Sequence, residues 1–288
     1  MSEGTVRKTL RVAIQGEEGC NSHMAALQTF VAENVLVLAC ATSGDVFRAL
    51  QAKHVDYAVV PIENSLHGSV FEHYDLLLEY GARILGETQL RVRHDVMVLP
   101  GVVLADVKRV LSHPVALSQC RRWLLAHPAI EAVPFYDTAG SVKHVIAQRL
   151  RDTAGIAPVI AAARYGADTI AEHVEDHAEN YTRFYTLCGA GEVTGEASAD
   201  KISADKLSLA LTLDHRPGTL IKALGILARA GANLTKIESR PVQGRPWEYV
   251  FFIDLRFRDE ALMDAALSEL PGACESVLEL GRYKAAQG

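Results

Sequence analysis

The sequence predicts an α/β protein in two parts: a long region of alternating strands and helices, then a compact βαββαβ unit. Three observations carry this. From Arg11 to about Cys188, short apolar runs alternate with amphipathic segments, the rhythm of a largely parallel sheet flanked by helices. The stretch GAGEVTGEASADKISADK (189–206) has few large apolar side chains and reads as a linker. Beyond it, the apolar periodicity runs strand, helix, strand, strand, helix, strand.

Each element follows in order. RVAIQG (11–16) is a strand and SHMAALQTFVAE (22–33) a helix; DYAVVP (56–61) is a strand, with a helix expected from near Gly68 through GSVFEHYDLLLEY. KRVLSHP (108–114) leads into a single helical pattern, VALSQCRRWLLAH (115–127), and a further helix is expected from about Ala139. In the second part LSLALTLD (207–214), NLTKIESRPV (233–242), EYVFFIDLRF (248–257) and SVLELGRY (276–283) are strands. GTLIKALGILARAG (218–231) and DEALMDAALSEL (259–270) are helices, and QGRP (243–246) is a turn.

The 288 residues carry a net charge of −6, with no concentrated Lys/Arg footprint, which argues against nucleic acid as a partner. The five cysteines are scattered without a C-x-x-C pair, and the histidines form no H-E-x-x-H, so neither a redox motif nor a metal site is expected. MSEGTVRKTLRVAIQG lacks an apolar signal core, and no apolar run is long enough to span a membrane; both predict a cytoplasmic protein. There is no G-x-S-x-G elbow, phosphate loop or dinucleotide fingerprint, so no cofactor is expected.

In an open α/β sheet, ligands bind beyond the carboxyl ends of the strands. Polar residues collect there in this chain: Ser22 after the first strand, Glu63-Asn64-Ser65 after the second, Ser112-His113-Pro114 with Gln119 in the following helix, and Asp137-Thr138. Helix N-termini converging on one cleft would hold carboxylates. The alternative for each of Ser22, Ser65, Ser112 and Thr138 is a helix cap or turn residue.

At these positions the chain resembles the prephenate dehydratases. Pro61-Ile-Glu-Asn-Ser65 with Gly68-Ser-Val70 is similar to the family's P-I-E-N-S-x-x-G-x-V segment, and Ser112-His-Pro-Val-Ala-Leu-Ser-Gln119-Cys120 to its S-H-P-x-A-L-x-Q-C segment. Asp137-Thr-Ala-Gly-Ser-Val-Lys143 resembles the D-T-A-x-S stretch, and Thr182-Arg183-Phe184 the T-R-F signature. Downstream, Gly218-Thr-Leu-Ile221 and Glu238-Ser-Arg-Pro241 resemble the G-A-L-V and E-S-R-P motifs of an ACT domain. The first loop departs from the family, with Cys20-Asn21-Ser22 where T-Y-S is usual, and Thr219 replaces a common alanine.

The resemblance implies a catalytic domain at 10–189 built as two lobes like a type 2 periplasmic binding protein, a linker at 190–206 and a ferredoxin-like ACT domain at 207–286. It implies decarboxylative dehydration of prephenate to phenylpyruvate, with phenylalanine as effector and a homodimer or homotetramer as the assembly. Thr182 is nominated as the hydroxyl nearest the leaving group, with Glu63, Asn64, Ser112 and Gln119 as the other catalytic residues. Ser22, Ser65, Thr138, Arg183 and Phe184 are expected to bind substrate. For Glu63 an arginine pair or helix cap stands as the alternative, for Arg183 a salt bridge between lobes, and for Phe184 the core. Gly218, Leu220, Asn233, Leu234, Glu238, Ser239 and Arg240 are expected at the effector site, the alternative being a unit that only dimerises. Arogenate dehydratase and a non-catalytic small-molecule binding module are the competing functions.

Overall fold

A computed structural model describes residues 9–191, 204–242, 244–245 and 247–286. Most of the expected linker, and part of the expected QGRP turn, lie outside the described residues. The chain divides into two compact units, Met1–Val70 with Thr88–Phe184, and Phe71–Glu87 with Tyr185–Gly288.

The first unit starts β1 (Thr9–Gln15), α1 (Asn21–Thr29), β2 (Asn34–Cys40), α2 (Ser43–Gln51), β3 (Tyr57–Asn64) and β4 (Gly68–Ser69). After α3 (Phe71–Tyr80), β5 (Arg83–Arg91) re-enters it and is followed by β6 (Asp95–Val98), β7 (Arg109–Ser112), α4 (Pro114–Gln119), α5 (Arg121–Ala126) and β8 (Glu131–Pro134). Then come α6 (Thr138–Ala147), β9 (Thr153–Ala157), α7 (Ile160–Tyr165), β10 (Asp168–Ala171) and β11 (Tyr181–Cys188). One sheet has the order β2-β1-β3-β11-β5, with β4 on β3; the other is β10-β6-β9-β7-β8. These are the two α/β lobes. Both contain parallel pairs, but β6 runs antiparallel to β9 and β10, so the second sheet is mixed, not largely parallel.

The two sheets share one core. Val12, Ile14 and Val59 of the first cluster with Met97 and Ala157 of the second and with Ala139, Val142 and Ala161 of α6 and α7. The joint is close: a Cβ on Gly19 (φ +95°) would sit 3.1 Å from the Cα of Ala161. Each large apolar side chain buried here contributes on the order of 1.5–3 kcal/mol.

Two expected helices differ. The helix expected from Gly68 begins at Phe71, because Gly68 adopts φ +78° and turns the chain back, so that Gly68 and Ser69 pair antiparallel with Asn64 and Glu63. The pattern at 115–127 splits at Cys120 into α4 and α5. The Asp176 carboxylate accepts from the backbone N–H of Arg121 (3.1 Å) and Arg122 (2.8 Å), giving α5 its own N-terminal anion.

The second unit contains β12 (Lys206–Thr212), α8 (Thr219–Arg229), β13 (Asn233–Pro241), β14 (Tyr249–Arg256), α9 (Glu260–Glu269) and β15 (Ser276–Tyr283). Its sheet is antiparallel in the order β13-β14-β12-β15, the expected βαββαβ arrangement. Strand alternation gives it two faces. Leu207, Leu209, Leu211, Ile253 and Leu255 meet Ile226 of α8 and Met263 of α9 on one. The other face carries Phe252, whose ring lies 4.8 Å from Tyr74 of α3, and a buried polar network. The Tyr185 hydroxyl is 2.9 Å from both Asp254 oxygens, Ser208 Oγ is 2.7 Å from Asp254 Oδ1, and Lys206 Nζ is 2.7 Å from Glu87. Among the described residues, no helix is long and apolar enough to cross a membrane.

Candidate active site

The ends of β3 and β11 lie side by side, and this adjacency joins two sequence segments more than a hundred residues apart. Asn64 Nδ2 lies 3.0 Å from Thr182 Oγ1, 2.8 Å from Asn180 Oδ1 and 3.1 Å from the Tyr181 carbonyl. Its Oδ1 accepts from the N–H groups of Leu66 and His67, both at 3.0 Å, which fixes the amide's orientation. With Asn64 donating to Thr182 Oγ1, the threonine oxygen is the acceptor in that bond. The threonine's own proton is left to point elsewhere.

From the other lobe, Gln119 at the end of α4 completes the cluster. Its Nε2 is 3.1 Å from His67 Nδ1, and His67 Nδ1 is 3.3 Å from Asn64 Oδ1. Its Oε1 is 3.1 Å from Nε2 of the buried His94. Asn64, Gln119 and Thr182 are thus brought together, with His67, His94 and Asn180 added. Sequence reasoning assigned no site role to these three. His67 occupies a variable place inside the P-I-E-N-S segment, His94 is a lone histidine between Arg93 and Asp95 that matches no motif, and Asn180 stands two residues before Thr182.

The pleat sorts the expected residues into pairs. Successive side chains on a strand point to opposite faces, so Asn64 meets Thr182 while Glu63 meets Arg183, with Nη2 2.9 Å from Glu63 Oε2. This is the arginine pair left open for Glu63, and it lies within one sheet. Phe184 returns to the Thr182 side but is 1% exposed in the core with Val12 and Val59. Substrate contact by Phe184 is corrected to core packing.

Other expected residues stand apart. Ser112 is fully buried, and its hydroxyl donates at 2.6 Å to the Ile156 carbonyl, bracing β7 against β9. The catalytic expectation for Ser112 is corrected, because its donor is engaged in the sheet. Ser65 ties the two strand ends instead: its Oγ accepts from Tyr181 N–H (3.0 Å) and its N–H donates to the Tyr181 carbonyl (2.8 Å). Ser22 is buried in the first turn of α1 beside Cys20, and Thr138 opens α6, where the true cap is Asp137, accepting from Gly140 N–H at 2.6 Å. Among the described residues, no hydrogen bond joins Ser22, Ser112 or Thr138 to the Asn64 cluster.

Burial governs the titratable groups. It pushes the Cys20 thiol up to about 12, helped by Asp137, and it pushes His94, His23 and His113 below the ordinary histidine value. Among the described residues, no three His, Cys, Asp or Glu side chains are grouped to hold a metal ion.

In the second unit a cavity of about 330 Å³ opens where β12 leads into α8. Leu213, Leu220, Tyr249 and Phe251 give it apolar walls, and Asp214, Arg216 and Glu248 give it charge. Gly218 caps α8 at φ +86° between two lining residues, Pro217 and Thr219. The expected effector residues of β13 are elsewhere. Asn233, Leu234 and Ser239 are exposed on this edge strand, and Glu238 lies 3.8 Å from Lys236. Arg240 is held in a two-point pair with Asp75 (3.1 and 2.7 Å) over the Phe71 ring. None of the five lines the cavity.

Comparison with known proteins settles the family. The prephenate dehydratase model matches residues 12–191, and the ACT domain model matches 208–270. The chain belongs to the prephenate dehydratase family. It is therefore a dehydratase, a carbon–oxygen lyase, carrying an ACT domain. It is 38% identical over 296 residues to arogenate dehydratase 2 of Petunia hybrida, covering 97% of this chain and 73% of that one. Among solved structures it is similar to prephenate dehydratase from Arthrobacter aurescens in complex with L-Phe, with TM-score 0.84 and 29% identity over 96% of this chain and 90% of that one. It is also similar to GqqA, described as a novel type of quorum quenching acylase, with TM-score 0.84 and 31% identity over 96% and 98% of the two chains.

Proposed function

We propose that this enzyme converts prephenate to phenylpyruvate, carbon dioxide and water, and that phenylalanine regulates it. The carrying observation is the bond from Asn64 to Thr182 with Gln119 facing the same cluster. The ring carboxylate leaves as carbon dioxide, its bonding electron pair enters the ring, and the C–O bond across the ring breaks. The departing hydroxide takes up one proton to leave as water, and the ring becomes aromatic. Thr182, holding its oxygen toward Asn64, directs its own proton at the leaving oxygen as an oriented donor. Asn64 and Gln119 are neutral. They orient a dianion without the tight ion pair that would stabilise the carboxylate against departure. Glu63 anchors Arg183 and thereby stiffens the strand that carries Thr182.

Incubating the chain with prephenate and following phenylpyruvate tests the reading. A parallel arm with arogenate, following phenylalanine, decides the substrate, since the petunia relative carries that name. Product from neither substrate overturns it. Amide hydrolysis, the reading the GqqA likeness raises, needs an activated nucleophile. Cys20 is buried with its thiol pushed up to about 12, and the Ser112 hydroxyl is engaged with a backbone carbonyl. An acyl-amide substrate in a third arm tests it.

Phenylalanine is assigned to the cavity at the start of α8. Leu220 and Phe251 suit its ring, Asp214 or Glu248 its ammonium, and Arg216 its carboxylate. The exposed β13 edge, with Asn233, Leu234 and Ser239, is offered to a second copy in a homodimer or homotetramer. Titration calorimetry with phenylalanine reads the binding, and absence of heat overturns it. Five free cysteines fit a reducing, cytoplasmic location.

A further inference from the structure

We infer that His94 is a positioning residue that fixes which end of the Gln119 amide faces the active site. The inference rests on the functional reading above and deepens it.

His94 is 1% exposed at the foot of β6, and its backbone is pinned on both sides. Its N–H donates to Glu175 at 2.9 Å, and its carbonyl accepts from Val174 N–H at 2.9 Å. Its ring Nε2 stands 3.1 Å from Gln119 Oε1. An amide oxygen only accepts, so Nε2 must carry the proton. Burial holds the ring neutral against the pull of Glu175 and Asp95, so the other nitrogen, Nδ1, is a bare acceptor. Among the described residues it has no hydrogen-bond partner.

From that buried end the polarity of a whole chain follows. His94 donates to Gln119 Oε1, and Gln119 Nε2 donates to His67 Nδ1 at 3.1 Å; with Nδ1 accepting, its 3.3 Å approach to Asn64 Oδ1 brings two acceptors together and is not a hydrogen bond. His67 Nε2 faces Ser118 Oγ at 3.4 Å, and Ser118 donates to the Val115 carbonyl at 2.7 Å. The opposite polarity would turn the Gln119 oxygen toward His67 and put the His94 proton on Nδ1. That would bury an N–H with no acceptor, and orphaned buried donors are rarer and costlier than orphaned acceptors. The consequence is chemical. Gln119 presents donors to an anionic substrate, whereas a flipped amide would present a carbonyl oxygen and repel it.

A double-mutant cycle tests this. His94→Leu should lower kcat by about 10²-fold with a smaller change in KM, the scale of a misplaced catalytic group. In a Gln119→Leu background the same substitution should cost about threefold or less, because there is no amide left to orient. His94→Gln puts an amide nitrogen near the place of Nε2 and should restore most of the turnover. His94→Asn, which reaches only as far as Nδ1, should not. Nitrogen-15 spectra of the wild-type chain should show His94 neutral with its proton on Nε2, a readout independent of turnover. Equal cost in both backgrounds, equal rescue by Asn and Gln, or a proton on Nδ1 would overturn the inference. If neither prephenate nor arogenate is turned over, the functional reading falls instead. The orientation is then judged on the Gln119 side-chain amide resonances, whose persistence unchanged in His94→Leu overturns it.

Discussion

Two polar networks in this molecule are built in opposite ways. On the C-terminal sheet, Lys206 and Glu87 form an ion pair with side chains 8% and 2% exposed, and Asp254 takes Tyr185 and Ser208. Charges there meet charges, and donors end on acceptors. Around Asn64 the groups are amides, a hydroxyl and imidazole, and among the described residues the His94 Nδ1 and Asn180 Nδ2 atoms have no hydrogen-bond partner. A buried network that only holds a fold saturates its hydrogen bonds, because each unmade one costs about 1–3 kcal/mol. The Asn64 cluster instead leaves one buried donor, Asn180 Nδ2, and one buried acceptor, His94 Nδ1, unsaturated. The contrast separates the two networks by chemistry.

Thr182→Ala should produce the largest effect of any single change. Removing the oriented donor should lower kcat by about 10²–10⁴-fold while leaving KM within a few-fold and the melting temperature nearly unchanged. Steady-state kinetics with calorimetric melting checks both halves. A large stability loss with modest kinetic loss would move Thr182 from the site to the scaffold.

Lys206→Met tests the saturated network. It leaves Glu87 buried without its cation and should destabilise the chain by about 3–5 kcal/mol, read by urea unfolding. Adding Glu87→Gln should recover part of that loss. A cost below about 1 kcal/mol would show that the pair is hydrated in solution.

The sequence made some of this visible and concealed the rest for definite reasons. The βαββαβ unit was legible because its strands alternate and its helices keep their apolar period, so local pattern and final face agree. Asn64, Gln119 and Thr182 were legible through their segments. The division of Glu63 from Asn64, and of Arg183 from Thr182, was not, since neighbours in sequence become opposites only once a strand is pleated. Nor was the break at Cys120, which depends on Asp176 arriving from a distant loop to cap α5. His94 was hidden because a single histidine between Arg93 and Asp95 matches no motif; its meaning lies in what its Nε2 meets.

Ser112→Ala sharpens the same boundary. Losing the bond to the Ile156 carbonyl should cost about 1–3 kcal/mol by leaving a buried acceptor unpaired. Turnover per folded molecule should change less than it does in Thr182→Ala. A hundredfold fall in kcat at unaltered stability would return Ser112 to the catalytic group.

The smallest expected effect is a slope in the stability–pH profile. Desolvation places His94 below the ordinary histidine value of about 6.5 in the folded state, and His23 and His113 shift the same way. The unfolded chain therefore takes up protons first as pH falls below about 6.5. Stability present above that pH is progressively lost until each folded-state group titrates in turn. Each such histidine contributes a slope of at most about 1.4 kcal/mol per pH unit. His94→Gln removes one of the three, so its urea midpoint should fall less between pH 7.5 and 5.5 than that of the wild type. Parallel profiles would mean that the His94 ring reaches solvent, and the neutral chain of donors running from it to Gln119 would lose its fixed end.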